Sequence, residues 1–190
     1  MADDDPVSLF VAACTAFGVH VHAIREDQWS LPTPCAEWNV RELVNHVAVE
    51  DLWAVELFAG ATIESVGSAF DGDRLGGDAV KSWDEAVSGA IYAVGEPGAM
   101  TRIVHLSFGD LPGSEYAMQL FADHLVHAWD LATAVSRDPG LDPALVAACR
   151  AWFAANEDGY RSAGAIGPRR EVSDDAGELA QLLSAFGRTP

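Results

Sequence analysis

The sequence predicts a mainly α-helical fold, and three observations carry that prediction. Apolar residues recur every three or four positions over several long stretches, capping residues stand at the starts of those stretches, and only one short segment opens with β-branched residues. At 190 residues and 49% hydrophobic content the chain is within reach of one domain with a real core, and no repeat, low-complexity tract or second-domain boundary interrupts residues 1–190.

Residues 1–5 are polar and acidic, an expected frayed terminus. From Pro6 to about Glu26, Leu9, Phe10, Ala13, Phe17, His20, Val21 and Ile24 mark a first amphipathic helix, with His20 inward as a spare ligand or a hydrogen-bonded core histidine and His22 outward. Pro32 and Pro34 make Trp29 to Glu37 a connecting loop. Asn39-Val40-Arg41-Glu42 then reads as a capping box opening a helix to about Gly60, with Leu43, His46, Val47, Glu50, Ala54 and Leu57 on its inner stripe. Thr62 to Gly77 mixes Gly, Ser and Asp without period and reads as a loop. A third helix follows from about Asp78 to Val94, stopped by Gly95-Glu96-Pro97-Gly98. Thr101 to Phe108 is the small extended segment and carries His105, expected at the surface or in packing. Gly109 to Gly113 reads as a turn into a long helix capped by Ser114. Asp142-Pro143 opens another helix to about Asp158, Gly159 to Val172 is loop or short strand, and a short helix from about Asp174 to Phe186 closes the pattern.

The chemistry concentrates on the long helix. At ~100° per residue, Tyr116, Leu120, Asp123, His127, Leu131 and Ala134 share one stripe, so a carboxylate and an imidazole point together into an apolar face. A divalent metal satisfies both, and so does a buried Asp…His hydrogen bond. This helix alone does not separate the two readings. The Asn39 helix repeats the device with His46 and Glu50 one turn apart, giving a third ligand and a candidate fourth, the arrangement by which helical bundles commonly hold metals. Asp130, three residues beyond His127, either orients that ligand or anchors a neighbouring helix. Cys35 is the one candidate nucleophile, and a structural role is the simpler reading. The six Trp read as mainly core.

Composition narrows the partners. Cys14, Cys35 and Cys149 are odd in number and lack a C-x-x-C pair, so neither a disulfide framework nor a thiolate zinc site is expected, and a reducing cytoplasm fits. No basic apolar leader and no apolar run near the ~18 residues of a membrane span appear, so neither export nor membrane insertion is expected. A formal charge of −18 without a Lys/Arg cluster beyond Arg169-Arg170 argues against nucleic acid and anionic membranes. The motifs of serine hydrolases, phosphate loops and dinucleotide folds are missing.

Four ordered stretches carry a family resemblance: Trp29-Ser30-Leu31-Pro32-Thr33-Pro34-Cys35-Ala36-Glu37-Trp38-Asn39-Val40, Leu43-Val44-Asn45-His46, Asp123-x-x-x-His127-Ala128-Trp129-Asp130-Leu131-Ala132, and Ala185-Phe186-Gly187-Arg188-Thr189-Pro190. Together they resemble the actinobacterial branch of the DinB-like superfamily, the group related to the metal-binding N-terminal domain of mycothiol-dependent maleylpyruvate isomerase. The resemblance implies a DinB-like four-helix bundle with short extra helices, and a divalent metal, zinc or nickel, held by His46, Asp123 and His127. Asp123 stands where the isomerase has Glu. The isomerase also has an additional C-terminal domain, so maleylpyruvate isomerisation is not carried over.

The favoured expectation is a metal-dependent transferase in which the metal stabilises a mycothiol-type thiolate and presents it to an electrophile, with Glu50 taking the thiol proton. A metal-dependent hydrolase and a non-catalytic metal-binding protein are the alternatives. No cationic group is evident at the ligands: Arg41 points off the inner stripe, and periodicity does not locate Arg188. A neutral or cationic electrophile is therefore expected rather than a dicarboxylate.

Overall fold

The computed structural model describes residues 5–162, 164, 166–173 and 175–190. The expected fraying of residues 1–4 and the proposed helix start at Asp174 lie outside the described residues. The elements run α1 (Pro6–Val21), α2 (Val40–Phe58), α3 (Ile63–Val66), α4 (Ala79–Gly95), β1 (Ile103–Leu106), β2 (Gly109–Pro112), α5 (Gly113–Ala134), α6 (Pro143–Ser162) and α7 (Glu178–Ala185).

Local chemistry explains most of the boundaries. The Asp5 side chain accepts from the Ser8 N–H ahead of Pro6, a residue suited to the first helical turn. The α2 capping box forms as its sequence predicts, with Glu42 N donating to Asn39 Oδ1 at 3.0 Å and Asn39 N to Glu42 Oε2 at 2.8 Å. Helix α1 stops at Val21, short of the expected Glu26. Past it, buried Gln28 accepts from the Arg25 N–H at 2.9 Å and donates to the Val135 carbonyl at 3.3 Å, tethering a 3₁₀ turn over Glu26–Gln28 to the end of α5. The loop expected over residues 62–77 contains the one-turn α3, whose Thr62 side chain caps the Ser65 N–H. Helix α6 runs to Ser162, one turn beyond the expected Asp158, and α7 begins only at Glu178.

Residues 109–112 form a strand rather than a turn, pairing antiparallel with β1 in the register Val104↔Leu111 and His105↔Asp110. His105 Nδ1 bonds Asp110 Oδ1 across the hairpin at 2.8 Å, in agreement with its expected non-ligand role. Ser114 does not cap α5. The helix starts one residue earlier at Gly113, whose N–H donates to the Arg102 carbonyl at 2.8 Å, because the strand runs straight into the helix.

Helix α1 lies along α5 and α2 along α4, and contacts of α2 with α5 and of α1 with α4 close a four-helix bundle. Phe10, Phe17, Leu43, Phe58, Phe121 and Leu125 fill its interior. Helix α6 packs on α5 and carries α7. The fold is thus mainly helical and DinB-like. Among the described residues no helix is long and apolar enough to cross a membrane.

Gly113 is the tightest joint in this frame. A Cβ there would collide with the Ala99 carbonyl oxygen and lie 2.9 Å from Phe58 Cε1. Gly113→Ala is expected to destabilise the protein by roughly 1–3 kcal/mol, as overpacking typically does. Thermal unfolding followed by circular dichroism should show a melting temperature several degrees lower.

Candidate metal centre

The site is built by three segments. The loop before α2 is folded onto itself by Thr33, whose hydroxyl donates to the Trp38 carbonyl at 2.8 Å and accepts from the Cys35 N–H at 3.1 Å. An isolated bridge joins Pro32 to Asn39. The loop therefore holds Cys35 and Trp38 over the start of α2. Trp38 stacks on the His46 ring with centroids 4.5 Å apart and 30° between planes, and its centroid lies 5.8 Å from that of His127. Asn45 beside His46 is structural: its amide donates to the Gly72 carbonyl at 3.1 Å and accepts from the Arg74 N–H at 2.7 Å, pinning the 67–77 loop.

Helix α5 supplies the rest. His46 Nε2 lies 3.5 Å from Asp123 Oδ1 and His127 Nε2 3.3 Å from the same oxygen. Ligand atoms of His46, Asp123 and His127 all fall within 4.8 Å of one another. Both contacts are longer than a strong imidazole–carboxylate hydrogen bond. Asp123 Oδ2, buried, has no hydrogen-bond partner. Burial acts against the Asp123 charge, but the His127 and His46 imidazoles outweigh it and hold the carboxyl well below its ordinary range.

The other face of His127 is fully committed. Its Nδ1 donates to Asp130 Oδ2 at 2.9 Å. Burial disfavours its charge, but Asp123 and Asp130 outweigh that and hold the imidazole well above its usual range, so Nε2 offers Asp123 a proton in the charged ring and a lone pair in the neutral one. Two facing lone pairs require a proton or a cation between them. A divalent metal meets that requirement, and two imidazoles with one carboxylate are a donor set for zinc, nickel or iron(II). The residues therefore fit the expected metal.

Asp130 holds the His127 ring and, in place of a neighbouring helix, anchors the segment after α7. Besides orienting His127 it receives Arg188, with Nη2 at 2.7 Å from Oδ2 and Nε at 3.2 Å from Oδ1. Cys35 joins the same group, its Sγ 3.3 Å from Asp130 Oδ2 and 3.3 Å from Arg188 Nη2. Ligand atoms of Cys35, His127 and Asp130 also lie within 4.8 Å of one another. In that second set both His127 and Cys35 hydrogen-bond Asp130.

Arg188 corrects the expectation that no cation stands near the ligands. It lines the same cavity of about 390 Å³ as His46, Asp123, His127, Cys35 and Trp38. Its charge is nevertheless largely spent on Asp130, while Nη1 donates to the Phe186 carbonyl at 2.9 Å. Arg41, as expected, points elsewhere, to Asp73 at 2.8 Å.

Glu50 is half-buried and lines a second cavity, of about 340 Å³, together with His46 and Asp123. Burial, and then the Asp123 charge, push its carboxyl up. His20 bonds the Pro139 carbonyl at 3.2 Å and His22 bonds Asp84 at 2.8 Å, so neither joins the cluster.

Sequence reasoning missed a second buried polar pair. His124 and Asp51 are both fully buried, with Nε2 3.2 Å from Asp51 Oδ1 and Nδ1 donating to the Leu120 carbonyl at 2.9 Å. Burial disfavours the charge on His124, but its neighbours Cys14 and Asp51 outweigh it and hold the imidazole well above its usual range. Each residue stands one position beyond a residue already singled out, Glu50 or Asp123. That adjacency was the one available signal.

Comparison with known proteins bears on the family and the fold. Residues 10–132 match the family model described as the mycothiol maleylpyruvate isomerase N-terminal domain. Two uncharacterized proteins of Mycobacterium tuberculosis, from two strains, are each 35% identical over 141 residues, covering 74% of this chain and 73% of their own length. A crystal structure of the mycothiol-dependent maleylpyruvate isomerase superposes with a TM-score of 0.66 at 19% identity, covering 84% of this chain and 71% of that one. A mutant of that isomerase gives a TM-score of 0.57 at 16% identity, and the match spans 66% of this chain and 59% of the mutant's length. At those identities the likeness concerns the fold.

The Asp51–His124 pair generates its own test. Removing one partner strands the other in the core, so Asp51→Ala is expected to cost about 3–5 kcal/mol in urea unfolding. The double replacement Asp51→Leu with His124→Phe should cost less than the two single changes combined, giving a measurable coupling in a double-mutant cycle.

Proposed function

The chain belongs to the family of the mycothiol maleylpyruvate isomerase N-terminal domain, an actinobacterial branch of the DinB-like superfamily, and from that premise we propose that it is a metal-dependent S-transferase for a low-molecular-weight thiol of the mycothiol type. In this reading residues 1–190 form one metal-binding domain, and His46, Asp123 and His127 hold a single divalent ion, zinc or nickel. The observation that carries the proposal is the buried, partnerless Asp123 Oδ2 beside two imidazole Nε2 atoms that converge on the same carboxylate.

Bound there, the ion supplies a Lewis acid that favours a sulfur anion near neutral pH. Three protein ligands leave open the coordination positions that catalytic sites keep. The protein does the rest. Asp130 and Arg188 fix the orientation and tautomer of His127, and Trp38 buttresses His46. Glu50 is the base: a carboxylate raised by burial takes the thiol proton more readily than an exposed one. The sulfur electron pair then forms the bond to the electrophilic carbon, and the leaving group departs with the pair of the bond that breaks. Because Arg188 is bound to Asp130, the pocket has no free guanidinium to clamp a second carboxylate of a dicarboxylate. Maleylpyruvate isomerisation is therefore not part of the proposal.

Three measurements test this reading. Elemental analysis should find His46→Ala, Asp123→Ala and His127→Ala sharply depleted in metal and His22→Ala unaffected; full occupancy in His127→Ala would sink the ligand set. Chelation should leave the helical circular dichroism largely intact while lowering the melting temperature modestly. Wholesale unfolding would instead favour a structural metal. Conjugation of a thiol to chlorodinitrobenzene should fall at least about tenfold in Glu50→Gln with metal content unchanged, as expected for loss of a general base.

A further inference from the structure

The cavity that Glu50 enters is chemically unlike the one that holds Arg188. It lies between α2, α5 and α6, and its walls are Tyr116, Trp152, Phe153, Tyr160 and Phe186. Those rings hold one another. Phe153 lies over Phe186 with centroids 4.1 Å apart, and Tyr160 meets Trp152 edge-on at 5.8 Å. Trp152 is fixed further by its indole N–H, which donates to Glu115 Oε1 at 3.0 Å.

Among the described residues no Lys or Arg lines this space, and its charged liners are the carboxylates Glu50 and Asp123 beside His46. In the chelated protein an anion would meet two carboxylates and no basic side chain, within a protein of formal charge −18. Rigid aromatic walls favour a flat apolar guest through area burial and edge or face contacts. A second cavity of about 400 Å³ adjoins it, sharing Phe108, Gln119 and Tyr160, and leads out past Phe108, which is 62% exposed.

We propose that the aromatic cavity seats the electrophile, and that the electrophile is an uncharged aromatic molecule. This assignment rests on the S-transferase reading. The thiol then approaches from the Cys35–Arg188 side and the electrophile from the α5–α6 side, and the two meet at His46 and Asp123, which line both cavities together with Ile166 and Phe186. Gln119, half-buried on α5, lines both the inner and the outer cavity.

A binding experiment separates this inference from the reading beneath it. N-phenyl-naphthylamine, a neutral probe that fluoresces on entering apolar sites, is titrated into chelated wild-type protein and into Gln119→Trp, which places a large side chain where the two cavities share a wall. Saturable binding is expected in wild type, weakened at least about tenfold by Gln119→Trp. Competition is expected from chlorodinitrobenzene and not from maleate or trimethylphenylammonium. Gln119→Phe replaces the Trp variant if circular dichroism shows that the latter has unfolded. No binding in wild type, undiminished binding in a folded plugged variant, or stronger competition by the anion or the cation would overturn the assignment. Thiol conjugation distinguishes the two levels. Probe binding as expected with no conjugation by metal-loaded protein would support the cavity and remove the S-transferase reading. Conjugation with an unchanged KM for chlorodinitrobenzene in Gln119→Trp would keep that reading and overturn the cavity.

Discussion

Helix α5 has almost no solvent face over its central turns. From Leu120 to Ala132 every residue is buried except the half-buried Asp123, yet the stretch carries Asp123, His124, His127 and Asp130. Ionisable groups in that position must be partnered or neutralised. Much of the surrounding structure answers this demand: α2 presents Asp51 to His124, Asp130 meets His127, and the segment after α7 returns Arg188 to Asp130. Asp123 is the one left with an oxygen unpaired, and the three donors converge around it. The candidate centre is what remains when the rest of the helix has been satisfied.

The helical plan was legible because its signals are local. A capping box at Asn39, the prolines of the loop before it and the Asp142-Pro143 start all act over one turn. His46, Asp123 and His127 were legible for a related reason, since period alone puts polar residues on an apolar stripe. That same stripe argument failed for Asp51 and His124. It assumes that a helix has an outside, whereas α5 is packed by α1, α2 and α6 around most of its circumference. Arg188 was invisible because no periodicity relates a residue after a short helix to one 58 positions earlier. The β-hairpin was read as a turn because Gly109, Asp110, Pro112 and Gly113 are turn formers, and pairing with β1 overrode that propensity.

Charge is organised in two opposed ways around the centre. On the Cys35 side, a guanidinium, an imidazole and a carboxylate neutralise one another, and a thiol is held between them. On the Glu50 side the surroundings are aromatic, with no basic liner among the described residues. Trp38 belongs to the first side: like Trp29, Trp53 and Trp152 it is half-buried rather than in the core as expected, it lies over His46, and its backbone is held by Thr33 rather than by a helix.

The Arg188 contact has a further consequence for the order in which the molecule comes apart. The four bundle helices share one apolar interior, to which α6 adds Leu145, Val146 and Cys149 and α7 adds Leu182, and the Asp130–Arg188 pair closes this long excursion. Helices α6 and α7 each bury fewer side chains than α5, and less deeply buried segments are the ones that open locally ahead of global unfolding. Release of the segment would strip Asp130 of its counter-charge and leave His127 with a looser hold on its tautomer, while the helices stayed folded. Competence of the proposed centre therefore depends on the docking of the segment after α7.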